Sequence, residues 1–363
     1  MPKSKHHFVP RFYLSAFQSA PRRINVLGVD TSLEIHDASL RDQCYQHKFY
    51  GRDDNRIEDA LAVMEGHAAR VLNSIQSTEM LPAEGSEEHG TLLAFVAFQL
   101  LRTKIVAQRV NTVIDKTTKQ AHSRDQRFTS EELDAVQFGF DDPVIFALGN
   151  VPHMLMAITD LGSHLAVSSE AAFITSDNPA FKYNQYYEDI DYQGITGALC
   201  RGFQIFFPLT PKLCLVLYDR DVYSVPRPER RARRSAPSAS DVDFMNGMQL
   251  ASADRNVYFS EWQRRQDIRE LLSRVRQHRD PDPTVVQEYG HDTDPNRSLL
   301  HTFERTPCLK LRLSFLKVRW RARSVSLSAR VRGYQKESPM PPIPEPPEPY
   351  RGPATFSRFI GKR

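Results

Sequence analysis

Cysteine is scarce and poorly placed for metal chemistry: Cys44, Cys200, Cys214 and Cys308 are scattered, and no two stand at a Cys-x-x-Cys spacing. That excludes a cysteine-caged zinc and fits a reducing, cytoplasmic setting without disulfides. Long apolar runs are missing too. The longest, residues 92–101, is interrupted by Gln99 and has roughly half of the ~20 residues a membrane span needs, so no membrane partner is expected. The first residues carry positive charge with no apolar stretch behind them, unlike a secretory signal. Also absent are Gly-x-Gly-x-x-Gly, a Walker loop, Gly-x-Ser-x-Gly and His-Glu-x-x-His, which removes the sequence support for dinucleotide, P-loop, serine-hydrolase and zincin chemistry.

What is there is an ordinary globular balance. The 363 residues are 40% hydrophobic and 25% charged, enough to fill a core without covalent staples. Net charge is +4, but residues 305–336 hold ten Lys/Arg and no Asp or Glu, so the remainder is acidic, at −6. A polyanion-binding protein is more often basic over its folded body. Nucleic acid therefore finds its contact through the basic tail, or through the cluster at residues 227–234, and solvated tails explain the same charges.

Pro10 sits at the first turn of a short helix running through Phe17. Residues 24–35 read as a β-hairpin or two short strands. Ile57, Leu61, Met64, Ala68, Leu72 and Ile75 recur at three- and four-residue steps, an amphipathic helix with Asn55 as N-cap. One long helix is predicted over residues 89–116, a capping-box start at Thr129 and Glu132, and another helix over 142–161. Strands follow: 164–168 paired with 172–175, then a hairpin of 202–207 and 213–218 through Pro208-Leu-Thr-Pro211-Lys. A helix over 241–255 and a strand over 256–260 complete the body. The fold class is α+β, a helical N-terminal half packed with a small, mainly antiparallel sheet from the C-terminal half, as one domain at residues 1–275. Residues 276–363 read as a basic, proline-rich tail, largely disordered, with eight prolines among residues 338–353.

The chemistry centres on His6-His7-Phe8-Val9-Pro10-Arg11-Phe12-Tyr13-Leu14. Imidazole binds metals and moves protons near neutral pH, and the proline fixes the backbone beside the pair. His6 or His7 serves as ligand or base on one reading; on the other, the pair hydrogen-bonds backbone carbonyls and only secures the arm. Glu58 and Glu65 lie seven residues apart, within about 20° on the helix wheel. They sit at the edge of the apolar stripe, where carboxylates bind a hard cation or simply keep their heads wet over the core. Gln99 and Arg102 interrupt an apolar face. A buried guanidinium needs an anion, either Glu58, Glu65 or Asp177 as an internal bridge, or an anionic ligand. Thr175-Ser176-Asp177-Asn178-Pro179 follows a strand, where loops display functional carboxylates and where Asp and Asn also make ordinary turns.

Together, the His-His-x-Val-Pro-x-x-Tyr-Leu opening, the Glu58–Glu65 helix, the Gln99–Arg102 helix, the Thr-Ser-Asp-Asn-Pro turn and the Phe207-Pro208-Leu-Thr-Pro211 hairpin resemble domain of unknown function 4238, over roughly residues 4–270. That resemblance supplies a family but no reaction, and the tail departs from it. His-His-x-x-Pro is also similar, more weakly, to the first strand of HNH-type nucleases. Asn25 and Cys44-x-x-His47 would then be the partners, at a separation long for a compact ββα unit.

Two functions remain in view. One is an intracellular metal-dependent hydrolase acting on phosphodiesters or nucleic acid: His6, His7 and Asp177 carry the reaction, His7, Glu58 and Glu65 hold a divalent metal, and Gln99, Arg102 and Asn178 bind ligand. The other is a non-enzymatic binding or regulatory module whose polar residues form a structural network. They differ in whether these side chains converge on an open cleft.

Overall fold

The computed structural model describes residues 5–324, apart from 52–55, 124, 126, 190–193, 226–232, 291–297, 308 and 311–312. The chain opens with β1 (Lys5–His7), the single turn α1 (Arg11–Leu14), β2 (Arg23–Gly28), β3 (Glu34–Ser39) and β4 (Tyr45–His47). Helices α2 (Arg56–Thr78), α3 (Glu87–Leu101), α4 (Lys104–His122), α5 (Ser130–Asp134), α6 (Pro143–Leu148) and α7 (Val151–Ile158) follow. Then come β5 (Gly162–Val167), β6 (Thr175–Ser176), β7 (Phe181–Tyr183), β8 (Gln204–Pro208), β9 (Leu213–Tyr218), β10 (Tyr223–Ser224) and β11 (Arg234–Ser235). The described chain closes with α8 (Ala239–Ser252), β12 (Asn256–Phe259), α9 (Arg265–Val275), β13 (Thr284–Gly290), β14 (Ser298–Glu304) and β15 (Lys317–Val318).

The mixed α/β character is as the sequence implies. A five-stranded sheet runs β11-β5-β9-β8-β7, antiparallel except for the parallel β11–β5 pair. Alternation along its strands produces two buried faces. Phe207 and Leu215 face a core shared with Tyr13, Phe95 and Ile158, while Phe206 and Val216 face Phe244, Met245 and Met248 of α8. The hairpin turn between β8 and β9 is tied by Thr210, whose hydroxyl accepts from the backbone N–H groups of Lys212 and Leu213.

Several expectations are corrected. The N-terminal half is not only helical: β2 and β3 form a four-stranded sheet with β12 and β6, in the order β3-β2-β12-β6. Residues 164–168 and 172–175 do not pair. β5 takes β9 and β11 as neighbours, and β6 takes β12, because Ser168 closes a local turn on Ala171 that sends the chain to the other sheet. The helix expected over 89–116 breaks after Arg102, and α3 and α4 diverge by 56°. Thr103 is extended there (φ −79°, ψ 159°) and starts α4 as its N-cap. Residues 142–161 likewise split at Gly149-Asn150 into α6 and α7. Part of the expected tail is packed: Leu313, Phe315, Leu316 and Ala322 are buried against α8 and the five-stranded sheet. Residues 338–353, Asn55 and most of the 227–234 cluster lie outside the described residues. Among the described residues no single helix is long and apolar enough to cross a membrane.

Candidate functional site

β1 is short, and its alternation decides the fate of the two histidines. It pairs antiparallel with β4, His6 opposite Gln46 and His7 opposite Tyr45. His6 turns inward, 2% exposed, where Nδ1 accepts the Tyr50 backbone N–H at 3.2 Å and the ring stacks on Tyr50. His7 turns the other way. Its Nε2–H donates to the Arg41 carbonyl at 3.1 Å, which leaves Nδ1 as the lone-pair side of the ring. Burial lowers the His7 pKa, and the charges of Arg11, Lys5 and Arg102 lower it further, against the opposing pull of the Arg41 carbonyl. The ring is therefore neutral at neutral pH.

Behind this strand lies Arg102, 1% exposed, at the end of α3. Its Nε donates to the Tyr50 hydroxyl at 3.0 Å, Nη1 to Glu65 Oε1 at 2.8 Å and Nη2 to the His7 carbonyl at 2.8 Å. Burial works against the guanidinium's charge, yet Tyr50 and Glu65 outweigh it and hold the pKa above its ordinary value. Of the three carboxylates the sequence offered to Arg102, Glu65 is the partner.

In front of the strand is a cleft of about 590 Å³, lined among others by Lys5, His7, Arg11, Arg41, Glu58 and Glu65. Lys5 is held by Asp42 at 3.0 Å and lies over the Tyr45 ring. The guanidinium groups of Arg11 and Arg41 make no ion pair with any described residue. His7, Glu58 and Glu65 thus share a cleft, as the metal set requires, but among the described residues no three His, Cys, Asp or Glu side chains converge as a metal-binding group. Glu65 spends an oxygen on Arg102, and His7 spends Nε2 on Arg41.

The other predicted residues lie elsewhere. Asp177 does not line this cleft. It is 5% exposed and accepts the backbone N–H groups of Asp254, Arg255 and Asn256 at 2.8–2.9 Å, anchoring the loop between α8 and β12. Burial, with Asp254 close by, pushes its carboxyl up to about 7 against those three donors. The expected grouping of Asp177 with the histidines is therefore corrected: its oxygens are used on main chain. Asn178 accepts from the Thr103 hydroxyl at 3.2 Å and donates to the Ser252 carbonyl at 2.9 Å, again a structural tie. Gln99 is fully buried, and neither its Oε1 nor its Nε2 has a partner among the described residues. The nuclease-like partners are also committed: Asn25 to Ser260 and Asp37, and the Cys44 thiol to the Tyr258 hydroxyl.

Three of the sequence motifs meet at one hydroxyl. Tyr13 donates to the Pro208 carbonyl and accepts from the Thr175 hydroxyl at 2.7 Å, joining the opening, the Thr-Ser-Asp-Asn-Pro turn and the β8–β9 hairpin. Sequence reasoning missed Lys5, Arg11 and Arg41 as cleft residues and Tyr50 as the hub behind His7. Lys5 and Arg11 were visible as charges flanking the histidine motif; Arg41 and Tyr50 carried no signal of their own.

No curated protein and no solved structure matches this chain. The family model described as "Protein of unknown function (DUF4238)" matches residues 5–262, the stretch that contains the histidine strand, Arg102, the Asp177 turn and the β8–β9 hairpin, and the chain belongs to that family.

Proposed function

We propose that the chain is a binding module whose His7 cleft takes a phosphate-bearing ligand. One observation carries this reading: Arg11 and Arg41 flank the cleft with no ion-pair partner among the described residues, beside Lys5 and a neutral His7. Guanidinium forks match phosphate oxygens in bidentate fashion and hold them more strongly than neutral donors do. The buried ties made by His6 and Arg102 support this reading, because they hold the histidine strand rigidly behind the cleft. The test is calorimetric titration of the full chain with inorganic phosphate and with a short oligonucleotide. Saturable binding that weakens with salt, and falls at least about tenfold in an Arg11→Ala/Arg41→Ala variant, is the expected outcome. No binding by either probe, or binding indifferent to the double substitution, overturns the reading.

A second reading, phosphodiester hydrolysis, is favoured by the state of His7. A neutral ring fixed through Nε2–H leaves Nδ1 able to take a proton from an attacking water. In the metal-dependent form, His7, Glu58 and Glu65 would hold a divalent ion that lowers the pKa of that water. Hydrolysis of bis(p-nitrophenyl) phosphate, with and without Mg²⁺, Mn²⁺ or Zn²⁺, tests it; activity absent under all conditions, or retained by His7→Ala, counts against it.

A further inference from the structure

A second cavity, of about 480 Å³, lies between α4, the loop after α8 and residues 276–284. Its size falls within the range of small-molecule sites, roughly 300–1,000 Å³. Charges of both signs line it, and most are matched. Asp30 pairs with Arg279 at 3.1 Å, Asp280 with Arg305 at 2.8 Å and Asp282 with Lys116 at 2.6 Å.

Four groups are left over. The Asp254 carboxylate has no side-chain partner among the described residues, and Arg276 bonds only to Ser32 and a backbone carbonyl. Arg109 reaches Glu304 through Nη1, but its buried Nε–H has no acceptor among the described residues. Thr284, 2% exposed, has a hydroxyl without a partner among the described residues. The last two are buried polar groups, which are rarely left unsatisfied and cost about 1–3 kcal/mol each when they are; Asp254 is half-buried and Arg276 exposed.

The family's turn motif builds this wall. Asp177 grips the backbone N–H groups of Asp254, Arg255 and Asn256, while Asn178 ties the end of α8 to Thr103 at the start of α4. Asp254 is thereby held beside Asp177, whose ionised form burial and then the neighbouring Asp254 charge disfavour.

We propose that this cavity binds a small zwitterion of the amino-acid class, with its ammonium on Asp254 and its carboxylate on Arg109, Arg276 and Thr284. A bare cation would leave the guanidinium and hydroxyl donors unmet, and a bare anion would leave Asp254 unmet. The site is separate from the His7 cleft and does not depend on it.

The experiment is calorimetry of the full chain against the free L-amino acids and against the N-acetyl and methyl-ester forms of any that bind. At least one free amino acid binds saturably. Its two blocked forms, and the Asp254→Asn and Thr284→Val variants, bind at least about tenfold more weakly, while Arg11→Ala leaves affinity unchanged. Asp254→Asn melts at or above the wild-type temperature, since it removes a like charge from Asp177. Should Asp254→Asn fail to fold, that itself counts against the ligand role, and Thr284→Val still reports on binding. No saturable binding by any amino acid, or binding undiminished in both variants, overturns the proposal.

Discussion

Arg102 Nη2 donates to the main-chain carbonyl of His7 at 2.8 Å, so the double-histidine strand is anchored through its backbone as well as through its rings. The same guanidinium also holds Tyr50 and Glu65, joining β1, α2 and α3 at one buried charge. Removing one partner of a buried ion pair costs about 3–5 kcal/mol. Arg102→Met is therefore expected to lower unfolding free energy by about that much in urea denaturation. Arg102→Lys should recover little, because an ammonium cannot reproduce the planar fork. A loss below about 1 kcal/mol for Arg102→Met would mean that the contact is ornamental.

Tyr13→Phe removes one hydroxyl and keeps the ring, which stacks on Phe207 at 5.0 Å. Two hydrogen bonds vanish, leaving the Pro208 carbonyl and the Thr175 hydroxyl short of a partner in the core. Destabilisation of about 1–3 kcal/mol is expected. A double-mutant cycle with Thr175→Val should show coupling, whereas strictly additive losses would deny the network.

Asp177 gives the sharpest separation of structural from chemical roles. Asp177→Ala strips the acceptors from three N–H groups and should cost about 1–3 kcal/mol or more. Phosphate affinity of the folded variant at the His7 cleft should match wild type. If phosphate binding is lost while the melting temperature holds, Asp177 belongs to the cleft chemistry after all.

His164 makes stability fall in acid. It is 3% exposed and bonded to the Ser235 hydroxyl, and burial, helped by the Arg233 charge, lowers its pKa to about 4. The unfolded chain titrates near the ordinary value of about 6.5, so it takes up the proton first as pH drops. Stability contributed by the neutral ring is whole above about pH 6.5 and is lost progressively down to about 4, some 3 kcal/mol across the window. His7 and His89, also held low by burial, add to the same slope. Asp177, its carboxyl pushed up to about 7, works the other way over the same range. The His164 share is therefore read from the difference in urea midpoint between wild type and His164→Gln, which should shift in the variant's favour as pH falls from 7 to 4; a difference that does not change with pH would assign the effect elsewhere.

Most elements were legible because their signals are local. The three- and four-residue spacing of α2 and the capping box at Thr129 and Glu132 need only neighbours in sequence, and both appear in the structure. The break at Arg102 was not legible, because Thr103 turns extended where residue spacing still reads as helix. Strand partners were equally hidden: β6 finds β12 some eighty positions away, a choice made by packing. Of the candidate site, sequence named His7, Glu58 and Glu65 as a metal set, and the three line one cleft; for Arg102 it left Glu58, Glu65, Asp177 or an anionic ligand open, and Glu65 is the partner. It could not see that Asp177 would be consumed by backbone, since Asp before Asn-Pro serves a turn and a reaction equally well.

The pairing of β2 with β12 also sets an order on the ribosome. Residues 25–28 register against 256–259, and Tyr13 waits for Thr175 and Pro208. At ~5–20 residues per second, the first strands wait roughly 10–50 s for their partners to be made. During that interval one edge of β2 has no strand to pair with and invites association with other chains. The arm is thus synthesised well before its partners and seated only after them, and shortening the chain before β12 leaves it permanently unhoused.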